Sequence, residues 1–385
     1  MDIRTLLLAM VERGASDLYL TVDSPPTVRV EGVNEPAGTD LLTPQITELL
    51  ANSVMTERQR ATFEEKLEMN LAIASDRLGR FRINVFKQRG AVGVVIRRIK
   101  MQIPTIDELN LPDVLKQIAL SRRGLVLVTG ATGSGKSTTL AAMLDYRNEQ
   151  TSGHILTVED PIEFVHKHKQ CIVNQREVGF DTVSFADALK NTLRQAPDVI
   201  LIGEVRDLET MEAAITFAET GHLCLATLHS NNANQAIERV MNFFPVTRHA
   251  EIFLQLSLNL RAIISQRLIP GLEGKRVAAL EVLVDTPWAR DLIKKGEADK
   301  LKEAMEKSTQ EGGQTFDQAL FALYAEGRVS EEQALANADS ANNLRIRIKN
   351  LDLTMQRPER AAAVGASGDG FRIEGLSPAP HLRRL

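Results

Sequence analysis

The chain has 385 residues, 43% of them hydrophobic and 25% charged, a globular balance with length for roughly two or three domains of ~150 residues. A formal net charge of −4 gives no overall pull toward nucleic acid, and with only Cys171 and Cys224 the chain cannot build a four-cysteine zinc module or a disulfide framework. No apolar run approaches the ~18 residues of a membrane span, and the first residues lack the basic start and cleavage site of a signal peptide, so a cytoplasmic protein is expected.

In chain order, residues 3–11 read as a short amphipathic helix. Residues 17–22 and 27–30 read as strands, parted by the turn-forming Ser24-Pro25-Pro26. Thr43-Pro44 opens a helix as cap and first helical residue, and another helix covers about 56–66. Strands are predicted at 71–74, 80–88 and 91–99, the last two joined through Arg89-Gly90. Phe81, Ile83 and Val85 alternate with Arg80, Arg82 and Asn84, so one face is apolar and the other polar. Together these elements predict an α+β domain over 1–100. Residues 101–120 read as a linker, marked by Pro104, and a lead-in helix.

From Leu125 short apolar strands alternate with helical stretches, at 125–129, 155–159, 199–203, 223–228 and 278–284. That rhythm predicts a mostly parallel sheet covered by helices, over 121–285. Thr286-Pro287 repeats the cap-then-proline signal and opens a helical part over 286–353. Residues 354–385, rich in Ala, Gly, Ser and Pro, are expected to form a disordered tail. Both cysteines fall in apolar, strand-like stretches and read as buried, inert thiols.

The run Gly130-Ala131-Thr132-Gly133-Ser134-Gly135-Lys136-Ser137 fits the phosphate-binding pattern G-x-x-x-x-G-K-[ST], between a buried strand and a helix beginning near Thr138. Glycines there let backbone N–H groups turn inward around a β-phosphate, and the helix N-terminus adds partial positive charge. Gly130, Thr132, Gly133, Ser134, Gly135, Lys136, Ser137 and Thr138 are thus the expected ATP contacts. Lys136 should bridge the β- and γ-phosphates, and Ser137 should ligate Mg²⁺.

Two more strands end in acids. Residues 199–203 lead to Glu204, with Gly203 where an aspartate usually stands, so Glu204 is expected to reach Mg²⁺ through water. Asp198 and Asp207 flank it and read as solvated. Residues 155–159 run into Glu159, Asp160 and Glu163, at the strand end where ligands bind in open α/β sheets. Glu163 is the candidate for polarising the attacking water, with Glu159 and Asp160 as alternative acids. His222 and His229 bracket the strand at 223–228, and at ~3.3 Å per residue they lie roughly 23 Å apart. His229 therefore belongs to the nucleotide edge, and His222 elsewhere, such as a subunit contact.

GATGSGKSTT, ILTVEDPIEFVH, LRQAPDVILIGEVRD and TGHLCLATLHSNNANQAIERV resemble the Walker A, Asp box, atypical Walker B and His box of the secretion ATPase (GspE/PilT) superfamily. The branch they resemble is the type IV pilus retraction ATPases, and the likeness runs from RGASDLYLTVDSPPTVRVEG to about Leu351. TLHSNNANQAIERVMNFFP and GGQTFDQALFALYAEGRVS look closer to the PilU group than to the PilT group. Ala131 stands where the branch usually has Pro, and Ala289-Arg290-Asp291-Leu292-Ile293-Lys294-Lys295 matches the retraction motif in part.

The resemblance implies an N-terminal PAS-like domain paired with a RecA-like P-loop domain across the nucleotide, in a homo-hexamer. It implies that Glu163 is the catalytic glutamate, that Glu204 is the Walker B acid, and that Arg80, Arg82 and Arg97 reach the phosphates; Arg194 and Arg206 are weaker candidates. It further implies an ATPase motor for pilus retraction and twitching, held peripherally at the inner membrane by the integral-membrane platform protein, beside a paralogous retraction ATPase, with no direct nucleic-acid contact. Rival readings are a type II secretion or DNA-transfer motor, and a low-turnover regulatory subunit. Intact Lys136, Glu163 and Glu204 speak against the last.

Overall fold

Alternation along the first domain's strands becomes burial. In the computed structural model Phe81, Ile83 and Val85 are fully buried, while Arg80, Arg82 and Asn84 stay partly open to solvent. The structure describes residues 2–30, 32–75, 77–99, 102–351 and 353. The expected tail at 354–385, and Lys100 and Met101 of the expected linker, lie outside the described residues.

The first part runs α1 (Ile3–Glu12), β1 (Asp17–Leu20), β2 (Thr27–Val30), β3 (Val33–Pro36), α2 (Pro44–Val54), α3 (Glu57–Lys66), β4 (Glu68–Ser75), β5 (Gly79–Gln88) and β6 (Ala91–Ile99). Its strands form one antiparallel sheet in the order β3-β2-β1-β6-β5-β4. Arg89 and Gly90, with φ of 48° and 79°, give β5–β6 the left-handed two-residue turn that suits the twist of a hairpin. Thr43 caps α2 and Thr56 caps α3, as their side chains accept from Ile46 N and Gln59 N. Strand β3 was not expected: all four of its residues are exposed, so no apolar alternation marks it.

The second part runs α4 (Val114–Ala119), β7 (Gly124–Thr129), α5 (Lys136–Gln150), β8 (Gly153–Glu159), β9 (Cys171–Glu177), α6 (Phe185–Thr192), β10 (Val199–Ile202), α7 (Leu208–Glu219), β11 (Leu223–Leu228), α8 (Ala233–Met241), α9 (His249–Asn259), β12 (Leu260–Pro270), β13 (Arg276–Val284), α10 (Pro287–Lys295), α11 (Leu301–Lys307), α12 (Phe316–Ala325) and α13 (Glu331–Ala336). The seven-stranded sheet has the order β13-β12-β7-β11-β10-β8-β9. From β12 to β9 its neighbours pair in parallel. Strand residues sort alternately onto its two faces. Leu125, Leu127 and Ile202 pack with α6 to α11, while Val126, Val128 and Leu201 pack with α4 and α5.

Two strands of this sheet were missed in the sequence. The β9 segment mixes polar residues into its pattern because it is the sheet's edge. The β12 segment follows α9 at once, with no turn signal between Asn259 and Leu260. The helices after Thr286 are also not one block. Leu292, Ile293, Leu301 and Met305 of α10 and α11 share the sheet's core. Of the two compact units in the chain, one runs to Leu268 and resumes at Ala278–Thr315, so it contains both sheets' site-bearing strands. The other takes Ile269–Val277 and the described residues from Phe316. Within that second unit, Asp317 accepts from the backbone N–H of Asp339 and Ser340.

The lead-in helix is tied down by a buried cation. Arg147 of α5 donates from Nη1 to the carbonyls of Ala119 and Ser121, at 2.8 and 2.7 Å, which satisfies the end of α4. Arg147→Met would leave both carbonyls without that donor. Hydrogen bonds to a charged group contribute about 1.5–3 kcal/mol each, so for the two bonds a loss of roughly 3–6 kcal/mol is expected in urea unfolding of the full chain.

Candidate active site

Parallel pairing lines up the ends of six strands. Thr129 of β7 lies opposite Leu228 of β11 and Ser265 of β12, Ile202 of β10 lies opposite Ala226 and Val158, and Glu159 of β8 lies opposite Glu177 of β9. The residues that follow these pairs therefore meet along one edge: Gln266, Gly130, His229, Glu204, Asp160 and, on β9, Glu177. This is the carboxyl edge of the parallel strands, where α/β sheets bind ligands.

The loop between β7 and α5 has the shape its glycines dictate. Gly130, Gly133 and Gly135 take φ of 144°, 76° and 91°, which side chains rarely tolerate. A Cβ at Gly130 would stand 2.5 Å from the Gln266 carbonyl oxygen. The Gln266 side chain, nearly buried, spans the loop: Nε2 donates to Ser134 O at 2.8 Å, and Oε1 accepts from Thr139 Oγ1 at 2.7 Å. Lys136 Nζ donates to the carbonyls of Gly130 and Ala131, at 2.8 and 2.9 Å, so the ammonium folds over the cradle. Burial draws its pKa below the ordinary lysine value, and the charges of Glu204 and Glu163 oppose that shift. Ser137 and Thr138 lie in the first turn of α5, and Thr132 is exposed on the loop.

The acids fall into two groups. Glu204, past β10, accepts from His229 Nε2 at 2.9 Å and from Arg206 Nε at 2.7 Å. Arg206 also reaches Asp160 at 3.4 Å, so this weaker candidate stands inside the site. Gly203 explains the missing aspartate: a Cβ there would lie 3.0 Å from Glu159 Cα, against the neighbouring strand. Thr227 Oγ1 donates to Gly203 O at 2.5 Å and fixes that turn. The second group is Glu159, Glu163 and Glu177. Glu159 accepts from Thr157 Oγ1 and Gln175 Nε2, at 2.7 and 3.1 Å. Burial raises its pKa to about 7; those two hydrogen bonds oppose the shift, and Glu163 and Glu177 add to it. Glu163 is exposed on the loop after β8.

The arginines come from the other sheet. Arg80 and Arg82 share a face of β5, and Arg82 pairs with Arg97 of β6. Arg80 Nη2 lies 3.9 Å from Glu177. Arg97 Nε donates to Asp17 at 2.8 Å and keeps two thirds of its side chain exposed. Its pKa is raised by Asp17, and the charge of Glu163 adds to that shift.

Other expected residues lie apart. His222, at the far end of β11, engages Thr220 Oγ1 and Phe217 O at 3.0 and 3.2 Å. Asp207, read as solvated, instead caps α7 by accepting from Thr210 N at 2.8 Å. Asp198 likewise accepts from His154 N. Arg194 is exposed in the turn before β10. Cys171 and Cys224 are buried, and burial raises both thiol pKa values. Sequence reasoning missed Gln266 and Glu177. A polar residue inside the apolar run AIISQRLI was a signal for Gln266; Glu177 had none, because its strand was not expected.

Whether the cradle fits a nucleotide can be judged from its polar atoms. Among the described residues, the buried side-chain oxygens without a hydrogen-bond partner are Thr129 Oγ1, Ser134 Oγ, Ser230 Oγ and Glu177 Oε1, all at this edge. Beside the loop an open pocket of about 310 Å³ is walled by Gly130, Ala131, His229, Ser230 and α8. Inward-turning glycines, a lysine and orphaned hydroxyls suit an anionic phosphate chain. Hydroxyl and carboxylate oxygens at Ser137 and Glu204 are the hard donors that Mg²⁺ takes.

Fold and site together are those of a RecA-like P-loop enzyme that binds and hydrolyses ATP. Comparison with known proteins narrows this. The family model for type II/IV secretion system proteins matches residues 3–343. The chain is 57% identical to the type IV pilus ATPase PilU of Pseudomonas aeruginosa over 350 residues, which covers 91% of this chain and 92% of that one. It is 45% identical to the retraction ATPase PilT of the same organism over 343 residues, 89% of this chain and 100% of that one. Among solved structures, the pilus retraction motor PilT with bound ADP superposes with a TM-score of 0.83 at 44% identity, covering 88% of this chain and 98% of that one. The chain belongs to the type II/IV secretion ATPase family, and within it to the type IV pilus ATPases.

Gln266→Ala removes both hydrogen bonds that clamp the loop. At about 0.5–1.5 kcal/mol each, nucleotide affinity should fall roughly 5- to 100-fold in titrations with a fluorescent ADP analogue. An unchanged affinity would exclude Gln266 from the binding geometry.

Glu159 makes stability depend on pH. Its folded pKa lies above the ordinary 4.5, so the folded state holds the proton more tightly than the unfolded one. Its contribution is greatest below pH 4.5 and is lost as pH rises through about 7. Glu159→Gln should therefore raise the melting temperature at pH 8, leave it unchanged at pH 4, and flatten the slope between them.

Proposed function

We propose that this chain is a hexameric motor that hydrolyses ATP to power, or to assist, type IV pilus retraction and twitching motility. The observation that carries the proposal is the meeting of Lys136 with the charges of Glu204 and Glu163 at one sheet edge, in a chain 57% identical to PilU. In this proposal residues 1–100 form the PAS-like domain, 101–120 the linker and lead-in helix, 121–285 the ATPase core, 286–353 the C-terminal helices and 354–385 a tail.

Lys136 exchanges the Gly130 and Ala131 carbonyls for the β- and γ-phosphates, and backbone N–H groups from Gly130 to Thr138 line the phosphate chain. Ser137, and Glu204 through water, would hold Mg²⁺, which would neutralise charge on the phosphates when bound. Glu163, exposed on its loop, orients the attacking water. His229 sits at the γ-phosphate edge and steadies Glu204. Arg80, Arg82 and Arg97 bring positive charge from the N-terminal sheet as the domains close, a contribution on the order of 10³–10⁵ in rate. The motor docks peripherally at the inner membrane on the integral-membrane platform protein and works beside a paralogous retraction ATPase, without contacting nucleic acid. Among the described residues, no helix is long and apolar enough to cross a membrane.

Lys136→Ala and Glu163→Gln should differ in kind. The first removes the point charge on the phosphates, so turnover should fall ~10²-fold or more and nucleotide binding should weaken. The second keeps the cradle, so ATP should bind and stay unhydrolysed in filter-binding and phosphate-release assays. Normal phosphate release by Glu163→Gln would move the water-orienting role to Glu159. Cells carrying Lys136→Ala should be hyperpiliated and fail to twitch; normal twitching would refute the retraction role.

A further inference from the structure

The turn after β9 joins the two sheets. Phe180, inside it, packs against the N-terminal core formed by Leu18, Phe81 and Ile83. The turn is closed by its own backbone: Glu177 O accepts from Asp181 N at 2.8 Å, and Asp181 Oδ2 accepts from Glu177 N at 2.9 Å. At its base the Glu177 side chain, 2% exposed, is buried between two functional segments. Its Oε2 accepts from Ile162 N at 3.4 Å, one residue before Glu163, and faces Arg80 Nη2 at 3.9 Å. Its Oε1 has no hydrogen-bond partner.

A buried carboxylate with an orphaned oxygen is costly unless something uses its charge. Burial raises its pKa, and the Ile162 N–H, then Arg82, then Arg80 oppose that shift, so these cations favour the charged form. The Arg80 contact is longer than a hydrogen bond, so charge holds the guanidinium without clamping it. An arginine held this way can be drawn off by a stronger anion without breaking a directed bond.

We propose that Glu177 is a positioning residue that holds Arg80 of the N-terminal sheet in reach of the phosphates and keeps the Glu163 loop in register with it. It acts through those groups and does not touch the nucleotide. The inference rests on the arginine role assigned under the proposed function.

The test is steady-state ATP hydrolysis by the full-length protein and four variants: Glu177→Gln, Glu177→Asp, Arg80→Ala, and Glu177→Gln combined with Arg80→Ala. Glu177→Gln keeps the side chain's shape and its acceptor for Ile162 N but removes the charge. It should lower kcat about 10-fold while leaving KM for ATP within about twofold, the mark of a contact that matters after binding. Glu177→Asp should restore part of that loss. Because both residues act in one unit, the double variant should be no slower than Arg80→Ala alone. Multiplying losses in the double variant would overturn the proposal, as would a raised KM at unchanged kcat. A slow Arg80→Ala beside a normal Glu177→Gln would remove Glu177 and leave the arginine role standing. A normal Arg80→Ala would remove the arginine role and the inference with it. Should Glu177→Gln fail to fold by circular dichroism, Glu177→Asp takes its place: kcat about threefold down, and no further loss when combined with Arg80→Ala.

Discussion

Parallel register in the seven-stranded sheet is the constraint on which the rest depends. Each strand from β12 to β9 carries ordinary buried aliphatic residues, and none holds a site alone. Pairing them in parallel brings their carboxyl ends to one edge, so six strand ends deliver Gln266, the glycine cradle, His229, Glu204, Asp160 and Glu177 to one place. A one-residue slip of any strand would reverse which side chains face each helical layer, so burial on both faces fixes the register and with it the site.

That edge concentrates charge in a partly desolvated place. Glu204 pairs with Arg206 and accepts from His229, Lys136 rests on backbone carbonyls, and Glu177 faces Arg80 of the other sheet. Tight packing also decides chemistry. The close approach of β8 and β10 leaves a Cβ at Gly203 only 3.0 Å from Glu159 Cα, so a side chain there would press on the neighbouring strand, and the first acid past β10 is Glu204.

Much of this was legible in the sequence. The cradle from Gly130 to Ser137 is a local motif whose glycine positions state their own backbone angles, and the structure gives them positive φ. The strands at β7, β8, β10 and β11 are short apolar runs of the kind that only a buried parallel sheet needs. Thr43 and Thr286 announced their helices because a capping hydroxyl acts on the next three residues. Strands β3 and β9 were hidden, since an edge or exposed strand has no apolar period to display. Strand β12 was hidden because it continues α9 without a break.

The sequence by itself determined the glycine cradle, the short apolar strands of the core and the separation of His222 from His229, because each follows from spacing along one chain segment. Only the tertiary structure decided that Gln266 clamps the cradle, that Arg206 joins Glu204 to Asp160, that Asp207 serves a helix, and that Glu177 lies under Arg80. Spacing fixes what a segment can do with its own backbone. Which side chains meet across strands far apart in the chain is set by which strands pair and in what register, and that is settled only when the two faces of the sheet are buried together.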